Sequence, residues 1–465
     1  MTAICVQAPA SKSLTHRYLM GAALAEGESI VRHTLESGDV MATRGILQEL
    51  GAEITPWEGG ADALRVRGIG GKVHGGQGKA LAIDVGESGT TCRLMCAVLA
   101  SGEGLFCVSG RERMHLRPVR ELCGALAKLG ADIAYQGTEG CPPLLIQANG
   151  LHPELLDGGP LTLSMDDSSQ YFSGLLLAAP QATRPLRLEL GGNKAVSWPY
   201  VGLTLQCLAD FGIDFVVETR PDASFPWQSL PAGAWRELRA ARPGCLCVTV
   251  QPGQYRAGNF VVEGDWSGAS YFLAAGAVGA MRSRAVCVRG LSADSLQGDR
   301  ALVDILRAMG ASVDVQHNEQ GDDAITVTPA HLHGATLDMG FCPDLVPTVA
   351  VLAALAGGDT HIHNVAHLRI KESDRIEAPI AELRKVGVVA EPLADGMLVH
   401  GIGTGSLRAL QPGQTFCSHN DHRIAMSLAL LQLREPDMDV RALLDAPQVV
   451  AKSFPDFWER WSMLL

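Results

Sequence analysis

The chain has 465 residues, of which 47% are hydrophobic, 19% charged and 5% aromatic. At about 150 residues per domain this length suggests roughly three domains, or fewer if each is a large α/β unit, and the near-average composition excludes collagen-like, disordered and disulfide-scaffold chains. Acidic side chains number 50 against 38 Lys and Arg, a net charge of −12, so neither nucleic acid nor an anionic membrane is an expected partner and any anionic ligand must meet a local cluster of cations.

The opening stretch MTAICVQAPASKS has no basic segment followed by an apolar one, and apolar runs such as Val346 to Ala356 fall short of the ~18 residues of a membrane helix. Export and membrane insertion are therefore not expected. The twelve cysteines include Cys92 with Cys96 and Cys245 with Cys247 but no C-x-x-C pair, which points to reduced thiols in a cytoplasmic protein.

In chain order, a strand around Ile4 to Val6 leads into ASKSLTHR, where Lys12, Ser13 and Arg17 precede or enter an amphipathic helix from Leu14 to Leu24. Unpaired N–H groups at a helix N-terminus, joined by those side chains, make an anion or phosphate site. A helix-Gly-strand joint follows in ILQELGAEI, and it recurs in ALAKLGADI, CLADFGIDF, ILRAMGASV and ELRKVGVVA. In each, Gly follows a helix-period apolar pattern, where a left-handed residue is wanted, and the next residues alternate as a strand does. These glycines, at 51, 130, 212, 310 and 387, are 79, 82, 98 and 77 residues apart, so each repeat is a small α/β subdomain. A sixth copy would have to be assembled from the strand around Ile4 to Val6 and the segment after Gln414. Within the longest gap, FPWQSLPAGAWRELRAARPGC reads as an insertion or linker. A boundary is expected close to Glu263, giving one domain of residues 1–11 plus 264–465 and another of residues 12–263, with three units in each.

Several motifs bear on chemistry. GIGGKVHGGQGKA has Val73 and Ala80 where a phosphate-binding P-loop needs Ser or Thr, so it reads as a hairpin or surface loop. The pairs His331/His333 and His361/His363 have the spacing of two metal ligands on a strand face but lack companions at ligand spacing. GESGTTCR, with Gly86, Ser88, Gly89 and Thr90 ahead of Arg93, and MDDSSQYFSG, with Ser168, Ser169 and Gln170, repeat the polar helix opening. Three such openings suggest one shared polyanionic site, although ordinary Ser/Thr capping gives the same pattern. HLRIKESDRIE holds Lys371, Glu372, Asp374 and Arg375, HNDHRIAM holds Asp421, His422 and Arg423, AKSFPDF holds Lys452 and MHLRPV holds Arg117. Cations at such joints serve an anion site or surface salt bridges.

In their order along the chain, SKS with Arg17, SGTTCR, Arg117-Pro118, Ser168-Ser169-Gln170, SWPY at Ser197 to Tyr200, QGD at Gln297 to Asp299, Pro343-Asp344, RIKESDR, NDHR and KSFPDF resemble the EPSP synthase family. The resemblance covers nearly the whole chain. It implies an inside-out α/β barrel fold of two domains, each of three βαβαββ units, with the active site in the cleft between them. It implies transfer of the enolpyruvyl group of phosphoenolpyruvate to the 5-hydroxyl of shikimate 3-phosphate, with release of phosphate, by a monomer that needs no metal or organic cofactor.

By the same resemblance, Lys12, Gly89, Arg117, Gln170, Arg375, Arg423 and Lys452 are expected at the phosphoenolpyruvate site. Planar Arg groups suit phosphate and carboxylate, and Gly89 is expected to let the ligand approach the backbone. Ser13, Arg17, Ser168, Ser169, Gln170, Ser197, Tyr200, Asp344, His367 and Lys371 are expected at the shikimate 3-phosphate site. Asp344 is the expected base at the 5-hydroxyl, Glu372 its counterpart at the enol methylene, and Lys12 a third proton carrier or phosphate anchor. Cations on both domains are expected to repel one another across an empty cleft and to favour closure once two polyanions bind. Departures from the common family pattern are Glu87 where Asn is usual, His367 where Asn often stands, and Ala10 where Gly often precedes SKS. The competing readings are the related UDP-N-acetylglucosamine enolpyruvyl transferase, whose reactive cysteine loop has no recognisable equivalent here, a transferase with another acceptor, and a non-catalytic sensor of anionic metabolites.

Overall fold

The computed structural model describes residues 3–279, 284–318 and 323–465, so the first two residues of the expected 1–11 segment lie outside the described residues. Its contacts gather the chain into two compact units, Lys12–Val262 and Met1–Ser11 with Glu263–Leu465.

One sheet plan recurs five times: a parallel pair, an antiparallel third position, and an edge strand paired to that third position. In the Lys12–Val262 unit, Leu81–Asp84 runs parallel to Glu103–Ser109, which pairs antiparallel with Leu144–Asn149, itself flanked by Asp132–Tyr135. Leu161–Met165, Leu186–Ala195, Leu246–Val250 and Phe215–Thr219 repeat that order. The third copy in this unit is built on Glu28–Arg32, Leu64–Arg67 and Glu53–Pro56, and takes its first strand, Asn259–Val261, from much later in the chain. In the other unit, Ile4–Gln7 serves as first strand to Val286–Leu291, Asp323–Thr328 and Ser312–Gln316. Thr336–Asp338, Gly357–His363, Gly396–Ile402 and Val389–Leu393 complete the set.

The expected sixth copy is corrected by this topology. Ile4–Gln7 is committed to the sheet of Val286–Leu291, and the segment after Gln414 is helical, from His422–Leu428 to Phe457–Trp461, with a single bridge between Phe416 and Leu444. Among the described residues, three sheets therefore belong to one unit and two to the other.

Glycine geometry explains the five joints. Helices Gly38–Glu49, Arg120–Lys128, Pro199–Asp210, Leu302–Ala308 and Glu377–Lys385 each stop two residues before a Gly whose φ lies between +72° and +106°. The N–H after that Gly reaches the carbonyl five residues back, Ala52 to Leu47 and its four counterparts, at 2.9–3.2 Å. This double cap satisfies the last carbonyls of the helix and turns the chain into the strand.

Helices form the interior of each unit. Gly89–Ala100 and Gln170–Ala178 are buried on nearly every face and pack against each other so closely that a Cβ on Gly174 would lie 2.8 Å from the Arg93 carbonyl. Trp266–Val278 and Val346–Leu355 are apolar all round and occupy the same place in the other unit. The strands keep one face outward, as in the buried-exposed alternation of Ile4–Gln7 and Leu64–Arg67. Among the described residues, no helix is long and apolar enough to cross a membrane.

Candidate active site

In the Lys12–Val262 unit the polar helix openings converge. Ser88 caps the helix Gly89–Ala100, accepting from Thr91 N–H at 3.1 Å. Thr91 Oγ1 lies 2.7 Å from Ser88 Oγ, 2.8 Å from Thr43 Oγ1 and 3.3 Å from the Asp39 carbonyl oxygen. The Asp39 carboxylate in turn receives Lys12 Nζ at 2.9 Å, with both side chains mostly buried. Thr43 also meets His16 Nδ1 at 2.8 Å. Burial first, then the charges of Lys12 and Arg17, hold His16 well below the usual imidazole range, so it stays neutral.

Gln170 joins the second opening to the third: its amide donates to Thr90 Oγ1 at 2.8 Å and its carbonyl accepts from Arg93 at 2.9 Å. Arg93 also lies over the Tyr171 ring, and the Tyr171 hydroxyl donates to the Pro118 carbonyl at 2.6 Å, next to Arg117. Gly89 also leaves room for a side chain. A Cβ there would lie 2.4–2.6 Å from the Arg117 guanidinium, so the missing side chain makes room for Arg117, which reaches the helix N-terminus through that space.

Ser168 and Ser169 are buried just before the helix Gln170–Ala178, and Ser168 Oγ accepts from Gln170 N–H at 3.2 Å. Ser197 adopts a left-handed φ of +55° ahead of the helix carrying Tyr200. Arg17 is fully buried and donates to Thr204 Oγ1, the Ser13 carbonyl, Ser173 Oγ and the Tyr200 carbonyl. Burial lowers its pKa to about 10, and its geometry ties Ser13 to the Tyr200 segment rather than presenting a bare cation.

The other unit is organised around Arg375, which is buried. Its Nε and Nη2 grip Asp421 at 2.7 and 3.2 Å, Nη1 donates to Asp344 at 2.8 Å and Nη2 to Glu372 at 2.8 Å. Burial alone would lower its pKa, but Asp421, Glu372 and Asp344 outweigh that and hold the guanidinium charged. Arg423 adds a second bond to Asp344, at 2.7 Å. Asp421 caps the helix His422–Leu428 and also receives Ser373 Oγ at 2.9 Å. Lys452 Nζ reaches the carbonyl of Asn420, a residue at φ +54°, at 2.8 Å. His367 is buried in the turn Ala366–Ile370 that leads to half-buried Lys371.

Self-repulsion of bare cations is therefore not the state of this cluster, because Arg375 and Arg423 already face carboxylates within their own unit. Sequence reasoning missed Asp39, Thr43, Thr91 and Ser373 as members of the site; Asp39 and Thr43 stand outside every motif, and Thr91 and Ser373 sit inside GESGTTCR and RIKESDR, motifs whose signal points to their neighbours. Asp421 was visible as a charge at a joint, but its place as the main partner of Arg375 was not. His361 and His363 share a strand face with rings 5.3 Å apart. Among the described residues, no group of three or more His, Cys, Asp or Glu is arranged to hold a metal.

The family model for EPSP synthase (3-phosphoshikimate 1-carboxyvinyltransferase) matches residues 3–225 and 243–461. The chain belongs to the EPSP synthase family. It is 38% identical to the 3-phosphoshikimate 1-carboxyvinyltransferase of Methanosphaerula palustris, over 97% of this chain and 94% of that one. It is 37% identical to the enzyme of that name from Syntrophobacter fumaroxidans, over 98% and 96% of the two chains. Among solved structures, EPSP synthase from Acinetobacter baumannii superposes with a TM-score of 0.73 at 25% identity, covering 99% of this chain and 95% of that one.

Proposed function

We infer that the protein is a transferase of the shikimate pathway, a 3-phosphoshikimate 1-carboxyvinyltransferase that moves the enolpyruvyl group of phosphoenolpyruvate to the 5-hydroxyl of shikimate 3-phosphate and releases phosphate. Family membership supports the reaction. The observation that carries the mechanism is that one buried guanidinium, Arg375, holds both expected proton carriers, Asp344 and Glu372, each at 2.8 Å.

In this reading Asp344, held by Arg375 and Arg423, takes the proton of the 5-hydroxyl as its oxygen attacks C2 of phosphoenolpyruvate. Glu372, entering the cycle protonated, delivers its proton to the methylene carbon to give a tetrahedral intermediate and takes one back from the resulting methyl group as the C2–O bond to phosphate breaks, while the 5-hydroxyl proton held by Asp344 passes to the departing phosphate. Lys12, Gly89, Arg117 and Gln170 from one unit and Arg375, Arg423 and Lys452 from the other make up the phosphoenolpyruvate complement. Lys12 serves as phosphate anchor or proton carrier to the leaving group. Ser13, Arg17, Ser168, Ser169, Gln170, Ser197, Tyr200, Asp344, His367 and Lys371 make up the shikimate 3-phosphate complement, with Arg17 acting by orienting Ser13 and Tyr200.

Buried helices and outward-facing strands support the inside-out barrel architecture, and the same reading takes the enzyme to act as a cytoplasmic monomer without metal or organic cofactor. The test is phosphate release from phosphoenolpyruvate with shikimate 3-phosphate, with UDP-N-acetylglucosamine and with neither. Release with shikimate 3-phosphate alone, abolished in Lys12→Ala, is the expected result; no release with any acceptor while both ligands bind would replace it with the anion-sensor reading.

A further inference from the structure

The segment that the family model leaves unmatched, residues 226–242, is built into the structure rather than hanging from it. Gln228–Ser229 adds an outer strand to Phe215–Thr219, and Leu230 N–H bonds the Val217 carbonyl at 2.8 Å. Trp227 lies over the guanidinium of Arg220, 4.0 Å from ring centroid to carbon, with Arg187 at 5.7 Å. Trp235 is buried edge-on against Phe215, ring centroids 5.6 Å apart. Two aromatic anchors and a strand pairing thus fix the segment to its sheet.

Its far end reaches the acceptor residues. Trp198, between Ser197 and Tyr200, is 1% exposed. An indole N–H can only donate, and a buried one needs an acceptor. That acceptor is the Leu238 carbonyl at 3.1 Å, supplied by the unmatched segment. Ser197 meanwhile holds a φ of +55°, a conformation that a non-Gly residue keeps only where its surroundings over-determine it. Arg17 fixes this stretch from inside, through the Tyr200 carbonyl at 3.0 Å, and the Leu238 carbonyl fixes it from the other side.

We propose that residues 226–242 are an acceptor-positioning brace, holding Ser197 and Tyr200 in their binding geometry through the hydrogen bond from Trp198 Nε1 to the Leu238 carbonyl. The proposal rests on the reading of Ser197 and Tyr200 as shikimate 3-phosphate ligands. Trp198 is a positioning residue: it acts through its neighbours, so its loss weakens acceptor binding and leaves the chemical step and the donor site in place.

The experiment is steady-state kinetics of the full chain with each substrate varied in turn, for Trp198→Phe, which keeps an apolar ring but removes the donor, and Trp227→Ala, which loosens the brace without touching Trp198. Both are expected to raise KM for shikimate 3-phosphate about fivefold, the effect of one ordinary hydrogen bond, with kcat and KM for phosphoenolpyruvate within about twofold of the parent. An unchanged KM for shikimate 3-phosphate in Trp227→Ala, or a parallel loss in kcat and both KM values, would overturn the brace. Ser197→Ala and Tyr200→Phe separate the two ideas. If they raise that KM and Trp227→Ala does not, the brace alone fails; if they leave it unchanged, the acceptor-site reading fails and the brace with it.

Discussion

The polar cluster at Gly89 and Arg117 and the one at Arg375 differ in the carboxylate contacts the structure describes for them. The first is assembled from helix openings, hydroxyls and cations, and the carboxylate in direct contact with Lys12 is Asp39 alone among the described partners. The second has its arginines facing three carboxylates, Asp344, Glu372 and Asp421. In the proposed function the first cluster receives an anion through its N–H groups and cations. In the proposed function the second, whose arginines hold carboxylates, positions bases and acids, and a ligand there must join or displace an existing network. The difference teaches that counting Lys and Arg in motifs overstates the anion-binding capacity of a site unless the partners of each cation are known.

The sharpest way to break the comparison is to remove one cation from each cluster. Arg375→Met leaves Asp421, Glu372 and Asp344 without their shared partner, and breaking a buried ionic network from one side costs about 3–5 kcal/mol. Denaturant unfolding should show that loss, and phosphate release should fall by at least ~1,000-fold, because both expected proton carriers lose their anchor. Lys12→Met should also abolish turnover but cost less stability than Arg375→Met, because it leaves one mostly buried carboxylate, Asp39, without its partner rather than three. Equal destabilisation by the two variants would show that the clusters do not differ in this respect.

What the sequence disclosed and withheld follows from how local each feature is. The five joints were legible because a helix that stops before a left-handed Gly leaves its whole signal within about ten residues, as at Leu47 to Ile54. The polar helix openings were legible for the same reason. Partners of a buried charge are not local: Arg375 meets Asp421 and Asp344, 46 and 31 positions away, and no periodicity encodes that meeting. Gly89 was legible as a position that must stay small, but its neighbour Arg117 lies 28 positions on, so that contact was not. The expected sixth sheet, which is not found among the described residues, failed differently. Ile4–Gln7 has a good strand pattern, and pattern alone does not say which sheet a strand joins.

Asp299 sharpens the contrast inside the Arg375 unit. It is 2% exposed, Ser267 donates to one of its oxygens, and the other has no hydrogen-bond partner. Burial first, and then the negative charge of Asp344, raises its pKa to about 7, against an opposing pull from Arg423. The folded carboxyl therefore keeps its proton between about pH 4 and 7 while the unfolded one gives it up, so this group's effect on stability worsens as pH rises through that window. Asp299→Asn has no proton to lose. Relative to the parent, it should gain about 2–3 kcal/mol on going from pH 5 to pH 8, a difference that urea unfolding at the two pH values measures. A constant offset at both values would mean that Asp299 is not the protonated member of this acidic neighbourhood.

The smallest effect tests the other cluster most finely, because two Gly→Ala changes should part company. At Gly89 the backbone is at the start of a helix with no left-handed φ, where Ala is the better helix former, so the fold loses nothing locally. The added Cβ instead meets the Arg117 guanidinium at 2.4–2.6 Å. Because the end of a flexible side chain yields before backbone does, Arg117 must move, and KM for phosphoenolpyruvate should rise about tenfold while the unfolding midpoint stays in place. At Gly51 the space is open, with Ile69 Cγ2 the nearest atom at 3.8 Å, but φ is +103°. There Ala should cost about 1 kcal/mol of stability and leave both KM values unchanged. If Gly89→Ala lost stability and kept its KM, the small residue would belong to the helix rather than to the anion site, and the Gly89–Arg117 cluster would no longer differ from any capped helix in the protein.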